Sequence, residues 1–323
     1  MFSMLYILLI LIFLYNISIN FLLKIRNKIF DFKKLILKYI DSQYSNNTKM
    51  SSLAIPGTHN YLAIKNAHPR DENISFEEGP HIYTVMGERG TYTSVTTLNH
   101  HHFSKFDADK ILDNMMNSKK MFDPNYKYYG MTREEIKTSW DKNRDSSAGS
   151  GTKMHYDIEC YYNGMDVEND SIEFQYFLQF VKDFPELKPY RTEWMVYYEE
   201  MKLSGSIDMI FENPDGTIQI YDWKRCKEIT NESNFGNYAI TSCISHLPDT
   251  NFWHYSLQLN TYKKILEDKY GKKVTGLYLV CIHPDNAYKS YERIQVPILE
   301  KEMTDLFNIR LAEVNSNQTK DKH

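Results

Sequence analysis

Between residues 170 and 185 apolar side chains recur every three or four positions, at Phe174, Phe177, Leu178, Val181 and Phe184. That spacing makes one stripe of a helix, and the stripe reads as core rather than as a cofactor site. Asp170 with Glu173 reads as its cap, and Pro185 and Pro189 end it. The pattern then changes period. Residues 190–198 read as a strand, and residues 203–225 as a β-hairpin about the turn Asn213-Pro214-Asp215-Gly216. Asn first, Pro second and Gly fourth are type I turn chemistry, and a following left-handed Gly gives a three-residue loop with a bulge. Asn213 then faces Thr217, and the register running outward from that pair sets Asp208 opposite Asp222. Residues 226–251 carry turn residues and read as an inserted loop. A helix follows at 252–269, a continuous apolar strand at 277–282 and a closing helix at 298–312.

Upstream the pattern is weaker. Residues 39–90 are polar, contain Pro56-Gly57 and Gly79-Pro80, and read as an irregular arm. Residues 92–97 have β-branched character and run into His100-His101-His102. Adjacent positions do not converge on one ion, so these histidines read as solvated or locally packed. Residues 105–120 read as a helix. Thr132 and Glu135 form a capping box for another, which runs to about residue 143. Residues 146–162 start with small residues and become helical, with His155 and Glu159 four apart on one face.

The N-terminus stands apart. Residues 4–23 are apolar over about the length that spans a bilayer, although Asn16, Ser18 and Asn20 weaken the second half. Lys24, Arg26, Lys28, Lys33 and Lys34 follow, which would keep the downstream chain on the cytosolic side. An amphipathic or buried helix, or a non-native start upstream of Met50, explains the same residues. The chain thus divides into 1–49, an arm and helical region at 50–145, and a core at 146–323. An intracellular setting is expected, whether cytosol, nucleus, mitochondrion or viral factory.

Composition narrows the chemistry. The 323 residues carry a net charge of −4, so there is no global basic signal for nucleic acid and any such binding uses a local patch. The cysteines at 160, 226, 243 and 281 have no C-x-x-C spacing. That speaks against a zinc or iron–sulfur site, and reduced thiols are the default. Asp208, Asp222 and Lys224 fall on one face of the hairpin. Opposed carboxylates destabilise a sheet. A divalent cation compensates them, and a neighbouring lysine can steady a developing anion.

The order helix, strand, strand, strand, helix, strand, together with four short motifs, resembles the PD-(D/E)XK nuclease superfamily. The closer likeness is to its RecB-like exonuclease branch, which includes the mitochondrial genome maintenance exonucleases. The motifs are Gly151-Thr152-x-x-His155-x-x-x-Glu159, Gly205-x-x-Asp208, Asp222-x-Lys224 and Gln258-x-x-x-Tyr262, with Ser94-Val95-Thr96 upstream. The likeness covers roughly residues 90–285.

The resemblance implies an α/β fold with a mixed central sheet flanked by helices, and a Mg²⁺- or Mn²⁺-dependent nuclease using one or two ions. It implies His155, Asp208, Asp222 and the Trp223 carbonyl as metal ligands, and Lys224 as the residue that positions the attacking water. Gln258 and Tyr262 would hold the DNA strand and support catalysis, with Ser94 and Thr96 also on nucleic acid. Glu159 is placed behind His155, and Glu193 is either a near-site carboxylate or a strand residue at a polar edge. The implied substrate is single-stranded or processed DNA ends, in replication, repair or recombination. An endoribonuclease with the same metal site, or a catalytically degenerate nucleic-acid-binding or membrane-tethered scaffold, remains as an alternative. No iron–sulfur cluster is expected. No phosphate-binding G-x-x-x-x-G-K-[ST] motif is present, so unwinding would fall to a separate helicase or replication partner.

Overall fold

Both faces of the strand that carries Asp222 are buried, and the surrounding elements are arranged to cover them. A computed structural model describes residues 54–233 and 236–320. The apolar run 4–23 and its basic flank lie outside the described residues; within them, no helix is long and apolar enough to cross a membrane. In chain order the elements are α1 (Tyr61–Lys65), β1 (Ile74–Glu77), β2 (Ile82–Val85), β3 (Glu88–Arg89), β4 (Thr93–Ser94), α2 (Val95–His100), α3 (Ala108–Met116) and α4 (Arg133–Tyr162). There follow α5 (Ile172–Asp183), β5 (Lys188–Tyr198), β6 (Leu203–Glu212), β7 (Ile218–Lys224), α6 (Asn251–Lys269), β8 (Val274–Cys281), β9 (Glu292–Gln295) and α7 (Glu300–Lys320).

The larger sheet is mixed. β5–β6, β6–β7 and β8–β9 are antiparallel, whereas β4–β6 and β7–β8 are parallel. Ile218 and Ile220 of β7 join a core with Leu257, Ile265 and Leu266 of α6 and Phe307 of α7. Tyr221 and Trp223 face the other way, into a second core with Met154 and Ile158 of α4 and Phe174, Phe177 and Phe180 of α5. The fold is therefore α/β, with a mixed central sheet between helices. The apolar stripe read on residues 174–184 is core, as its period requires.

The hairpin follows its turn chemistry. The Gly216 amide donates to the Asn213 carbonyl at 3.0 Å, and the Asn213 amide donates to the Thr217 carbonyl at 2.8 Å. Gly216 takes φ +80°, the left-handed conformation the bulge needs. The register is the expected one from Glu212↔Ile218 to Met209↔Tyr221. There the β6–β7 ladder stops, one pair short of Asp208 and Asp222. β7 runs on beside β8 to Lys224↔Cys281, and the short β4 pairs with the start of β6 at Leu203 and Ser204.

The chain departs from its local sequence patterns at several elements. Residues 74–89 of the arm form a three-stranded antiparallel sheet rather than irregular chain. The apolar and β-branched run Ile82-Tyr83-Thr84-Val85 favours a strand, and Val85 is fully buried. Residues 95–100 are helical, because the Ser94 hydroxyl accepts from the Thr97 amide and caps α2. The two helices read at 132–143 and 146–162 are one 30-residue helix, α4, so no break falls at residues 145 and 146. Its glycines, Gly149 and Gly151, meet nothing nearby and cost only helix propensity. The capping box of Thr132 and Glu135 is present. The cap of α5 is Ser171, not Asp170, and Glu173 instead accepts two bonds from Arg225. The three histidines diverge: His102 is buried on Thr241, and His100 packs against the His254 ring. The loop 226–251 also does more than connect, since Ala239, Ile244 and Leu247 enter the core beside α6.

Gly205 is fixed by packing. A Cβ there would lie 2.7 Å from the Tyr262 hydroxyl and 2.8 Å from its ring, and Tyr262 is itself buried. We expect Gly205→Ala to destabilise the chain by about 1–3 kcal/mol through overpacking. The loss should shrink in a Tyr262→Ala background, because the clash is then gone. Urea unfolding of the two single variants and the double variant measures this; additive losses would show that the ring is not what excludes a side chain at 205.

Candidate metal centre

The strand irregularity creates the site. On β6, Leu203, Ile207 and Ile210 face the α6 core, whereas Met209 and Phe211 face the α4–α5 core. Strict alternation slips once, at Asp208. Across the sheet, Thr192↔Met209 and Trp194↔Ile207 bracket Glu193 and Asp208. Glu193 has φ +41°, unusual for a non-glycine residue and worth about 1–3 kcal/mol of strain that the surrounding sheet must hold. Two carboxylates thus turn together out of regular pleating, where the β6–β7 ladder has just ended.

His155 meets them from α4. One ligand atom from each of His155, Glu193 and Asp208 lies within 4.8 Å of the others. His155 Nδ1 is 3.5 Å from Asp208 Oδ2 and 3.7 Å from Glu193 Oε1. His155 Nε2 lies 2.9 Å from the Trp223 carbonyl. The Trp223 amide, beyond the end of the ladder, donates to Asp208 Oδ2 at 3.0 Å. The backbone of one β7 residue, Trp223, therefore orients both the imidazole through its carbonyl and the carboxylate through its amide, the outer support that metal-binding histidines commonly have. The carbonyl expected as a ligand is engaged by His155.

Asp222 and Lys224 sit behind this group. Asp222 is buried, and Lys224 Nζ lies 2.6 Å from its Oδ2. Lys224 also reaches Gln258 Oε1 at 3.5 Å and stands 4.4 Å from the centre of the Tyr255 ring. Gln258 stands one helical turn before Tyr262 on α6, and the Tyr262 ring packs on Gly205. Tyr255 escaped the sequence reading, although it lies three positions before Gln258 on the same helix, a spacing that would have found it. Ser94 caps α2, and its strand pairing sets it beside Ser204; Thr96 is exposed on α2.

A second feature missed in the sequence is a cavity of about 140 Å³ beside Glu193. Glu159, Arg191 and Thr192 line one side, and His59, Asn60 and Asp71 of the N-terminal arm line the other. His59 Nε2 is 3.5 Å from Glu159 Oε1. Arg191 bonds Asp71 at 2.7 Å, and Trp194 Nε1 donates to the same carboxylate at 2.8 Å. Nothing in the spacing of arm residues signals that the arm reaches the site.

The electrostatics are those of crowded acids. Burial, then the Asp222 carboxylate, pushes Asp208 up to about 7. Burial, then Glu193, raises Glu159 to about 7. Burial alone would lower His155, but Asp208, Glu193 and Asp222 outweigh it and raise the imidazole to about 9. Burial also opposes the Lys224 charge, and Asp222 and Asp208 outweigh it in the same way, holding the ammonium. Carboxylate oxygens with one imidazole nitrogen suit a hard or borderline divalent ion such as Mg²⁺ or Mn²⁺. His155, Glu193 and Asp208 can hold such an ion, with Asp222 adding negative charge behind them.

These directions fix a pH dependence for the ion-free chain. Asp208 and Glu159 stay protonated in the folded state above their ordinary carboxylate range, so folding loses stability as pH rises through that range to about 7. His155 adds stability that is complete below its ordinary value of 6.5 and lost as pH rises through about 9. Stability in EDTA should therefore fall between pH 5 and pH 9. Mn²⁺ should bind more tightly over the same interval, because it displaces those protons. Urea unfolding in EDTA and calorimetric Mn²⁺ titration at several pH values test both slopes; Mn²⁺ affinity unchanged by pH would remove these groups from the site.

No family model and no curated protein matches the chain. Among solved structures, the "Putative exonuclease" from Eubacterium rectale matches at 12% identity, over 50% of this chain and 74% of that one. Its TM-score of 0.25 is too low for the likeness to bear on fold or activity.

Proposed function

We propose that the chain is a metal-dependent nuclease of the PD-(D/E)XK type, with the RecB-like motifs as its working parts. The observation that carries this reading is the meeting of His155, Glu193 and Asp208 within 4.8 Å, with the Asp222–Lys224 pair adjoining on β7. These residues come from three strands and one helix, and the four motifs of the resemblance supply all of them except Glu193. Glu193 joins the proposed ligands, and Asp222 acts chiefly by holding Lys224.

His155, Glu193 and Asp208 would hold a Mg²⁺ or Mn²⁺ ion, which would supply charge neutralisation at the phosphate and a more acidic water. The remaining work is done by side chains. The Trp223 carbonyl fixes the His155 ring, so that Nδ1 faces the carboxylates. Asp222 and Asp208 keep Lys224 protonated. Its ammonium, set by Asp222, Gln258 and the Tyr255 ring, is placed to donate hydrogen bonds to an attacking oxygen or a developing phosphate charge. Gln258, half-buried, would hold the strand, whereas Tyr262, expected to do the same, is buried against Gly205 and keeps that corner rigid. The resemblance favours DNA ends as substrate. RNA is the other arm of the test, since metal chemistry does not distinguish the sugar and only contacts to 2′-hydroxyls would.

The test is incubation of the full chain with end-labelled single- and double-stranded DNA and RNA, in Mg²⁺, Mn²⁺ or EDTA. Cleavage is expected only with a divalent ion. Lys224→Met keeps the apolar stem and removes the charge. We expect it to lower single-turnover cleavage by about 10²–10³-fold, the loss typical of a transition-state donor, with Mn²⁺ and DNA binding largely retained. Asp208→Asn and Glu193→Gln should instead weaken Mn²⁺ binding. A Lys224→Met chain that cuts at the wild-type rate would exclude this motif from catalysis.

A further inference from the structure

At the end of β7, two cysteines that the proposed chemistry leaves unused lie in contact. Cys226 follows Lys224 by two residues, and Cys281 ends β8 as the register partner of Lys224. Their sulfurs are 3.4 Å apart, and the Cys281 thiol donates to the Cys226 carbonyl at 2.9 Å. Both are free thiols; Cys226 is half-buried and Cys281 is buried. We propose that Cys226 and Cys281 form a peroxide-reactive dithiol that closes to a reversible disulfide beside the lysine.

The geometry leaves little distance to cover. A disulfide needs about 2.05 Å between sulfurs. Cys281 is held in the sheet, whereas Cys226 lies in the loop that follows β7, so the closing movement belongs to Cys226. Contact with the Cys281 thiol lowers the Cys226 thiol, and the nearby Lys224 ammonium adds to this against the effect of burial. A partly accessible thiol of lowered pKa with a second thiol at hand is the usual arrangement of a peroxide-sensitive site.

The step balances. The Cys226 thiolate attacks one oxygen of a hydroperoxide, the O–O bond breaks, and the second oxygen leaves as water or alcohol after taking a proton. Cys226 is then a sulfenic acid. The Cys281 sulfur attacks it, the S–O bond breaks, and water leaves with the Cys281 proton. Two electrons pass from the sulfur pair to the peroxide. A thiol reductant returns both cysteines by exchange.

The link also draws the residue after Arg225 toward β8, and so acts on the backbone that carries Lys224 and on the Arg225–Glu173 pair. Its effect on cleavage rests on the nuclease reading; its formation does not. The test treats the reduced full chain with hydrogen peroxide at neutral pH. Two of the four thiols should become resistant to alkylation, the mass should fall by two hydrogens, and peptide mapping should join 226 to 281. Dithiothreitol should reverse all three. Cys226→Ser should abolish the link, and in Cys281→Ser a sulfenic acid should be trapped at 226. Should Cys281→Ser not fold, the wild-type peptide map with Cys226→Ser decides. Four reactive thiols after peroxide, a link to Cys160 or Cys243, or sulfinic acid at 226 without a link would overturn the proposal. If the link forms but neither state cuts nucleic acid, the nuclease reading fails and the dithiol stands.

Discussion

Like charges repel most strongly where water is excluded, and this chain places Asp208, Asp222 and Glu193 around one point at the edge of its core. Each would be costly alone. The arrangement stands because each is met by a fixed partner: Asp222 by Lys224, Asp208 by the Trp223 amide and the His155 ring, Glu193 by the Ser206 hydroxyl at 2.8 Å. Much of the architecture serves that balance. The hairpin brings the acids together, α4 brings the imidazole, and α6 brings Gln258 and the Tyr255 face to the lysine.

The same constraint explains where the sheet becomes irregular. Regular pairing would press Asp208 against Asp222 across the ladder. Instead the β6–β7 pairing ends at Met209↔Tyr221, and an Asp208 oxygen takes the amide that the ladder has released. On the other edge, Glu193 adopts a left-handed backbone opposite Asp208. Strain in β5 and the lost pairs in β7 mark the same place, as expected where chemistry rather than stability sets the local structure.

Legibility in the sequence followed the range of the interactions. The hairpin register, the α5 stripe and the α6 face depend on residues close in the chain, and turn chemistry or helical period exposed them. The end of the β6–β7 ladder depends on repulsion between two strands, which no local pattern records. Fusion of two expected helices into α4 turned on Ser146-Ser147-Ala148-Gly149-Ser150-Gly151, a stretch whose small residues resemble a linker but contain no proline. Glu193 appeared only as a charged strand residue because its role comes from backbone conformation. The approach of the arm through His59 and Asp71 spans a hundred residues of sequence or more, so only the folded chain shows it.

The fused helix has a mechanical consequence. At about 1.5 Å per residue its 30 residues make a rod of about 45 Å. The site end, with Met154 and Ile158, is clamped in a core, and the far end is tied to α3 through Arg133 with Asp109 and Asp113. Between them, residues 141–149 are exposed, and the glycines in and just beyond this stretch cost about 1 kcal/mol each relative to alanine. The weakest helix-formers of the rod therefore lie on its exposed span, between two held ends. His155 lies beyond them on the clamped side, where its ring meets the carboxylates.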